Sequence, residues 1–400
     1  MKRTAADKPT GDRTIVVHLR KDLTRDIKRG HVWIYSDACD LPRAASGSTV
    51  IIEDRKGDRI ACGMYDPEHP IPVRICRTSP PWSLDRAWLE ERFTNARNLR
   101  RAAFDETTTG YRLINGEGDG LPGLVIDVYS QVAVIKLDGG APQSFYQIDT
   151  LIELITRLTD CRTIVHRPRV RGQFGTCIKG TLTTEVVPFL ENGMRFEADV
   201  IHGQKTGFFL DQRDNRAIVR SLSNEKRVLN LFSFSGGFSI AAGMGGAVQV
   251  CSVDLAPQAV AAADRHWQLN GLPTEKHQGT VCDCFEFLEQ AVSAKRTWDI
   301  VICDPPSFAP SERARTQAEE AYQRLAHASA RVTAPGGLLA LASCSSHISA
   351  SRFRELNLAG IGRARRTGRL IIERSLPLDH PTPLAMPELA YLKFQLLTLE

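Results

Sequence analysis

Between Val228 and Cys344 the chain carries residues whose types and spacing suit ligand binding and covalent chemistry. LNLFSFSGGFSIAAG sets Gly236 and Gly237 at a turn from an apolar strand into a helix. There a residue without Cβ lets the backbone approach a ligand, and free helix N–H groups meet a carboxylate or phosphate. Asp254 ends the next strand, from which a carboxylate in a doubly wound sheet accepts both hydroxyls of a ribose. Asp283 follows the third strand, placed for an adenine amino group, and Asp304 ends the fourth in DPPSF. Cys344, in ALASCSSHIS, ends the fifth beside Asp304 in the expected sheet order, and Ser345, Ser346 and a helix N-terminus follow it in a way that favours a lowered thiol pKa. Any one of these acids could equally cap a helix. Their recurrence at successive C-terminal strand ends points to the crevice where such sheets bind ligands. The GxGxxG spacing of a dinucleotide site is absent, no CxxC pair exists, and Cys282-Asp283-Cys284 is too close for a zinc knuckle, so no metal site is expected.

The elements that must position these residues follow a regular β/α alternation after His202, which predicts a mostly parallel sheet with helices on both faces. The strands read as VLNLF, VQVCSVD, EKHQGTV, WDIVICD, GLLALASC, GRLIIERSL and YLKFQLLTL, with helices after Gly237, from Pro257 to Asn270, around CFEFLEQAV, from Glu312 to Val332 and from Ser349 to Leu358. No helix separates the last two strands. An antiparallel hairpin therefore closes the sheet, which resembles class I methyltransferases rather than dehydrogenases.

Upstream, Thr14 to Thr78 alternates short β-rich runs with turn signals, Lys56-Gly57-Asp58 lying between two of them. SLDRAWLEERFTNARNLRRAAF reads as a connecting helix opened by Ser83. GYRLINGEGDGLPGLVIDVYSQVAVIKL gives a glycine-rich loop and two strands around Ser130-Gln131, FYQIDTLIELITRL a helix, and TIVHR, TTEVVPFL and MRFEADV further strands. The fold class is α/β in three segments: 14–80, a small β-rich domain; 81–200, a connecting helix and a central α+β domain; and 201–400, the β/α domain.

A length of 400 residues with 42% hydrophobic and 24% charged residues excludes wholesale disorder and fibrous architecture. Polar residues interrupt the uncharged run from Val228 to Val253, so no membrane span is expected, and the N-terminal MKRTAADKPTGDR lacks the apolar stretch of a secretory signal. Ten cysteines without a regular framework suit a cytoplasmic protein with reduced thiols. The net charge of +5 is unevenly spread. Arg162, Arg167, Arg169, Arg171 and Lys179 form one basic cluster, and Arg352, Arg354, Arg363, Arg365, Arg366 and Arg369 another. Either is a solvated face or a grip on a polyanion, and together they lean towards nucleic acid.

GQKTGFFLDQRDNR, LNLFSFSGGFSIAA, DPPSF and SCSSHIS, with NGEGDGLPGLVID and the N-terminal module, resemble the bacterial 23S ribosomal RNA cytosine-5 methyltransferases, which join an RNA-binding PUA domain to a class I methyltransferase domain. The resemblance runs from about Thr14 to the C-terminus. It implies S-adenosyl-L-methionine as methyl donor, 23S ribosomal RNA as partner and a homodimer. It also implies that Phe232, Ser235, Gly236, Gly237, Asp254, Asp283, Asp304 and Pro305 bind the donor, and that Lys205, Phe208, Asp211 and Arg213 line its methionine end and the RNA entrance. Phe208 and its neighbour Phe209 have core packing as the alternative role. GQKTGFFLDQR is shared with a sister group that methylates guanines.

By the same resemblance Cys344 and Asp304 are the catalytic pair. Carbon 5 of cytosine is a poor nucleophile, so a thiolate from Cys344 adds at carbon 6 to enrich it. Asp304, protonated or paired with the cytosine ring nitrogen and amino group, recognises and activates the base. The two-cysteine enzymes of this chemistry carry a second thiol where this chain has Ser307, and Cys303, one residue before Asp304, should point into the core. His380, in DHP, reads as a surface turn. Guanine methylation, with a dispensable Cys344, and a non-catalytic ribosome-assembly factor are the competing functions.

Overall fold

The computed structural model describes residues 15–170, 172–309 and 312–400. The N-terminal stretch through Thr14, and Arg171 of the first basic cluster, lie outside the described residues. Contacts divide the chain into two units. The first holds residues up to Val187 with Ala198–Phe208 and Leu378–Pro387, and the second holds Pro188–Glu197, Phe209–Pro377 and Glu388–Glu400.

The first unit opens with β1 (Ile15–His18), α1 (Thr24–Lys28), β2 (Trp33–Ile34), β3 (Ser48–Glu53), β4 (Arg59–Tyr65) and β5 (Val73–Arg77). They form one sheet in the order β1-β3-β4-β5-β2 around Val17, Ile34, Val50, Ile52 and Tyr65. Asp54 fixes the turn between β3 and β4 by accepting the Lys56 and Asp58 N–H groups, and Gly57 takes the left-handed conformation that closes it. The connecting helix α2 (Arg86–Ala103) begins at Asp85, not Ser83. Asp85 accepts the Trp88 N–H at 3.0 Å, while Ser83 donates to the Asp85 carboxylate.

A second sheet follows from β6 (Gly110–Asn115), β7 (Leu124–Tyr129), β8 (Val132–Leu137), α3 (Gly140–Phe145), α4 (Ile148–Leu158), β9 (Thr163–Arg167) and β10 (Thr176–Lys179). Its order is β10-β9-β8-β7-β6, and Ile114, Ile126, Ile135 and Ile164 share an apolar cluster with Trp88, Phe93, Leu151 and Ile155. Sequence reading left out β6, β10 and α3. β6 carries a charged residue that only its neighbour explains, since Arg112 makes a two-pronged ion pair with Asp127 of β7. β10 is four residues long and bulged, and α3 begins Gly-Ala-Pro without helical periodicity.

The chain continues through the hairpin β11 (Val186–Glu191) and β12 (Met194–Asp199), turned by Asn192 and Gly193, both at positive φ. The second unit then runs α5 (Arg213–Leu222), β13 (Arg227–Leu231), α6 (Gly237–Met244), β14 (Gln249–Asp254), α7 (Pro257–Leu269), β15 (His277–Val281), α8 (Cys284–Ser293), β16 (Trp298–Cys303), α9 (Arg315–Val332), β17 (Thr333–Ser343), α10 (Ala350–Arg363), β18 (Gly368–Arg374) and β19 (Lys393–Leu399). The sheet order is β15-β14-β13-β16-β17-β19-β18, with β19 antiparallel to both its neighbours. The central strands are apolar on both faces. Leu229, Val253, Val301 and Leu339 enter one cluster, and Val228, Val250, Ile300 and Ala340 the other. Cys303 is buried in the first of these, as its alternation predicted.

His380 is not a surface turn. It is buried in the first unit, its Nδ1 3.0 Å from Asp379 Oδ1, while Asp379 Oδ2 accepts the Arg112 N–H at 2.9 Å. The second basic cluster lies at the surface, where Arg354, Arg363, Arg365 and Arg369 are exposed and several members are paired within the chain. Arg352 pairs with Glu319 and Glu355, Arg354 with Glu373 and Arg369 with Glu400, while Arg366 donates to the carbonyls of Ala330 and Thr333. Among the described residues no helix is long and apolar enough to cross a membrane.

Arg100 carries the polar side of the first unit. Its buried guanidinium donates twice to Asp119, at 2.6 and 2.7 Å, and to the carbonyls of Arg112 and Asp379. Arg100→Met would strand a buried carboxylate and should cost about 3–5 kcal/mol, read as a lower urea midpoint for this unit. Arg100→Met with Asp119→Asn, which removes the stranded charge, should recover part of the loss.

Candidate active site

The site is built at the C-terminal edge of the second unit's sheet. β13 pairs in parallel with β14 on one side and β16 on the other, so the connections leave β13 and β16 in opposite directions and open a crevice there. The loop after β13 is held in an unusual path, with Phe232, Phe234 and Gly236 at φ +56, +47 and +78. A left-handed conformation costs a non-glycine residue about 1–3 kcal/mol, and here it falls on two phenylalanines. Their amides are fixed by specific acceptors. Phe234 N–H donates to Asp254 Oδ2 at 2.8 Å, and Phe232 N–H meets Cys284 Sγ at 3.2 Å. The Phe234 ring meets Phe209 edge-on at 5.0 Å. Gly236 is required twice, by its φ and because a Cβ would stand 2.7 Å from that of Ala263. Gly237 starts α6 directly after it.

Asp254 ends β14 half-buried, and its other oxygen accepts the Ala256 N–H at 3.0 Å. Each carboxylate oxygen therefore holds one backbone N–H and keeps a lone pair for a ligand hydroxyl. Beside it the hydroxyls of Ser233 and Ser235 are buried with no hydrogen-bond partner among the described residues. An orphaned hydroxyl costs free energy unless a ligand or water engages it. This strained loop thus has polar capacity beyond what the protein uses.

His266 of α7 braces the loop from below. Its Nε2 accepts the Glu197 N–H at 3.0 Å, which makes Nδ1 the protonated nitrogen that donates to the Ser235 carbonyl at 2.8 Å. Burial holds this imidazole below its ordinary pKa, and the neutral tautomer satisfies both contacts. Nothing in the sequence marked it.

Asp283 is exposed and serves as the N-cap of α8, its Oδ1 accepting from Phe285 and Glu286 N–H. Asp304 follows β16, half-buried, and Pro305 is buried behind it. The Gln212 amide donates to Asp304 Oδ2 at 2.9 Å, and Asn215 in turn donates to Gln212 at 2.6 Å. Gln212 lies in GQKTGFFLDQR, where a neutral amide carries no sequence signal of its own.

Cys344 follows β17, which pairs in parallel with β16, so Cys344 and Asp304 end adjacent strands. The loops behind them are tied through Ser345. Its buried hydroxyl lies 3.1 Å from Ser307 Oγ and 2.9 Å from the Tyr322 hydroxyl, and its carbonyl accepts the Lys393 ammonium at 2.6 Å. Tyr322 also accepts from Ser343. Ser307 is thus a structural link to the Cys344 loop.

Asp211 is buried and accepts the Tyr391 hydroxyl at 2.7 Å, and Arg213 is buried at the start of α5. Lys205 and Phe208 belong to the first unit. Phe208 is buried there with its N–H donated to the Tyr129 hydroxyl, and Lys205 is half-buried with φ +53. The second unit brings together Phe232, Ser235, Gly236, Gly237, Asp254, Asp283, Asp304, Pro305 and Cys344 along one sheet edge. Among the described residues no group of three His, Cys, Asp or Glu side chains could hold a metal ion.

Residues 146–355 match the sequence profile of the S-adenosylmethionine-dependent methyltransferase family, and residues 17–78 that of a PUA-like domain. The chain is 40% identical over 386 residues to the "Ribosomal RNA large subunit methyltransferase" of Deinococcus radiodurans, with 92% of this chain and 93% of the relative covered. It is 33% identical over 392 residues to "Ribosomal RNA large subunit methyltransferase I" of Photobacterium profundum, covering 95% and 98%. A proposed SAM-dependent methyltransferase from Streptococcus mutans has a similar solved structure, with a TM-score of 0.83 at 25% identity over 96% of this chain and all of that one.

Because His266 is kept neutral in the fold and titrates near 6.5 when unfolded, the unfolded chain binds the extra proton first as pH falls. Its contribution is complete above pH 6.5 and is lost below it, by at most about 1.4 kcal/mol per pH unit. Urea unfolding of the second unit at pH 7.5 and 5.5 should show this loss, and His266→Gln should flatten the dependence.

Proposed function

Because this chain belongs to the S-adenosylmethionine-dependent methyltransferase family, we propose that it methylates carbon 5 of a cytosine in large-subunit ribosomal RNA, with Cys344 as the nucleophile that activates the base. The observation that carries this reading is the pairing of Cys344 and Asp304 at the ends of adjacent parallel strands, over the crevice formed by the Phe232–Gly236 loop and Asp254. The ribosomal RNA substrate is supported by the relatives' names over nearly their whole length.

The residues present fit the methyl donor. Asp254 has acceptor capacity for two ribose hydroxyls, the orphaned hydroxyls of Ser233 and Ser235 await polar partners, and Asp283 keeps an exposed carboxylate for an adenine amino group. When bound, S-adenosylmethionine supplies an electrophilic sulfonium methyl group. The strained loop presets the shape of the cradle before any ligand enters.

The chain's own chemistry lies with Cys344 and Asp304. The Cys344 thiolate donates an electron pair to carbon 6 of cytosine, the S–C6 bond forms, and the C5–C6 π pair becomes available at carbon 5. After carbon 5 is methylated it gives up its proton to water, that C–H pair restores the double bond, and the S–C6 bond breaks to return the thiolate. Asp304, oriented by Gln212, faces the ring nitrogen and amino group of the base. Because base edges of paired RNA are shut inside the stack, the target must be unstacked to reach these groups. The absence of a second thiol at Ser307 leaves product release without thiol assistance.

Two measurements test this reading. Asp254→Ala removes a charged acceptor of two hydrogen bonds, each worth about 1.5–3 kcal/mol, and should weaken S-adenosylmethionine binding at least tenfold by titration calorimetry. RNA carrying 5-fluorocytosine at the target should form a covalent complex that survives denaturation, since fluorine cannot leave as a proton does, and Cys344→Ser should form none. A Cys344→Ser enzyme that methylates near the wild-type rate would sink the cytosine-5 reading and favour a guanine product.

A further inference from the structure

We propose that Lys393 is the ionic partner of the Cys344 thiolate, a positioning residue that keeps the nucleophile charged. The inference rests on the role given to Cys344 above. β19 enters the sheet antiparallel beside β17 in a register that sets Lys393 opposite Ser343, the residue before Cys344. KFQLLTL is otherwise free of charge, and its lysine is only 5% exposed. The ammonium donates to two backbone carbonyls, those of Ser345 at 2.6 Å and Tyr391 at 2.7 Å. It thereby grips the residue on the far side of Cys344.

A lysine placed so deep usually meets a carboxylate, because neutral carbonyls do not return the charge stabilisation lost with water. Among the described residues none pairs with it. Two of its three N–H donors are used, and the charge that acts to hold its proton is the thiolate of Cys344, against a burial that pulls it down to about 8. The other titratable groups in reach are accounted for. Tyr322 of α9 is pushed up to about 12 and stays neutral, while Asp304 after β16 is an acid and supplies no positive charge. Asp211 lies one hydrogen bond further, behind the Tyr391 hydroxyl, and His347 is exposed. None of these groups offers a thiolate a positive charge, and Lys393, set between the carbonyls of Ser345 and Tyr391, supplies it.

The proton inventory is simple. The thiol proton leaves to solvent, Lys393 keeps its own, and no bond to nitrogen is made or broken. When the thiolate becomes a thioether on carbon 6 the ammonium loses its partner, so the same charge favours expulsion of sulfur at the end of the reaction.

The test reads Cys344 directly in the full-length protein. The rate of its alkylation by iodoacetamide is followed against pH, with the modified peptide identified by mass spectrometry. Lys393→Met should raise the pH midpoint by about one unit, so that alkylation at pH 7 slows about tenfold, and Lys393→Arg should restore the wild-type midpoint. An unchanged midpoint in a folded Lys393→Met protein overturns the proposal. Since coupling is reciprocal, the Lys393 ammonium in Cys344→Ala, observed by NMR of labelled lysine, should titrate lower than in the wild type. An unmoved lysine overturns the proposal even if Lys393→Met does not fold. A shifted alkylation profile without a 5-fluorocytosine adduct in the wild type would keep the ion pair and remove the cytosine-5 reading. Equal adduct formation and equal pH profiles with and without Lys393 would do the reverse.

Discussion

The parallel pairing of β16 with both β13 and β17 is the constraint on which the site depends. In a parallel sheet every strand ends at the same edge, so residues far apart in sequence are delivered side by side without any contact of their own to bring them there. Asp254, Asp304 and Cys344 each need only to be the residue that follows a buried apolar strand. The reversal of winding at β13 then parts the loops and leaves room for a ligand. The position of each group at that edge is specified by continuous buried apolar strands far more than by attraction among the polar groups.

That is why so much of the second unit was legible. Strands such as VLNLF and WDIVICD are buried on both faces and read as continuous apolar runs, and the acids and glycines after them stand out by contrast. The methyltransferase fold and the PUA-like module were both expected from sequence, and the matched profiles agree. What was missed depends on partners distant in the chain. His380 looked like a turn because Asp379 meets Arg112 across 267 positions, and the acids that pair with the surface arginines after Ser351, namely Glu319, Glu373 and Glu400, lie far from them in the chain. β6 and α3 lacked periodicity. Local composition reports which residues are charged, and it cannot report what the fold brings to them.

The supporting polar groups show the same limit in a more useful form. Gln212, His266, Ser345 and Lys393 are all buried, and each makes contacts to groups named from the sequence. Serine and glutamine are too common to signal anything alone. Lys393 is different, because a single lysine inside YLKFQLLTL is an anomaly in a strand whose neighbours are apolar. Desolvating an ammonium is costly enough that such a residue is rarely indifferent.

The cysteines give the argument its sharpest form. All ten are free, and seven are buried. Burial pushes Cys39, Cys62 and Cys161 up to about 11 and Cys284 to about 12, and raises Cys76, Cys251 and Cys303 as well. A thiol whose pKa is raised by an apolar surround is a packing residue at neutral pH, since nucleophilicity belongs to the thiolate. Cys284 illustrates the alternative use of sulfur, its neutral thiol accepting the Phe232 N–H and donating towards the Val253 carbonyl to hold the strained loop. Cys177, Cys282 and Cys344 are the half-exposed ones, and Cys344 differs from the other two in having an ammonium that grips the next carbonyl. The fold thus separates three half-exposed thiols from seven buried ones of identical composition by controlling what surrounds each, so a chain with many cysteines and no disulfide keeps most of them inert.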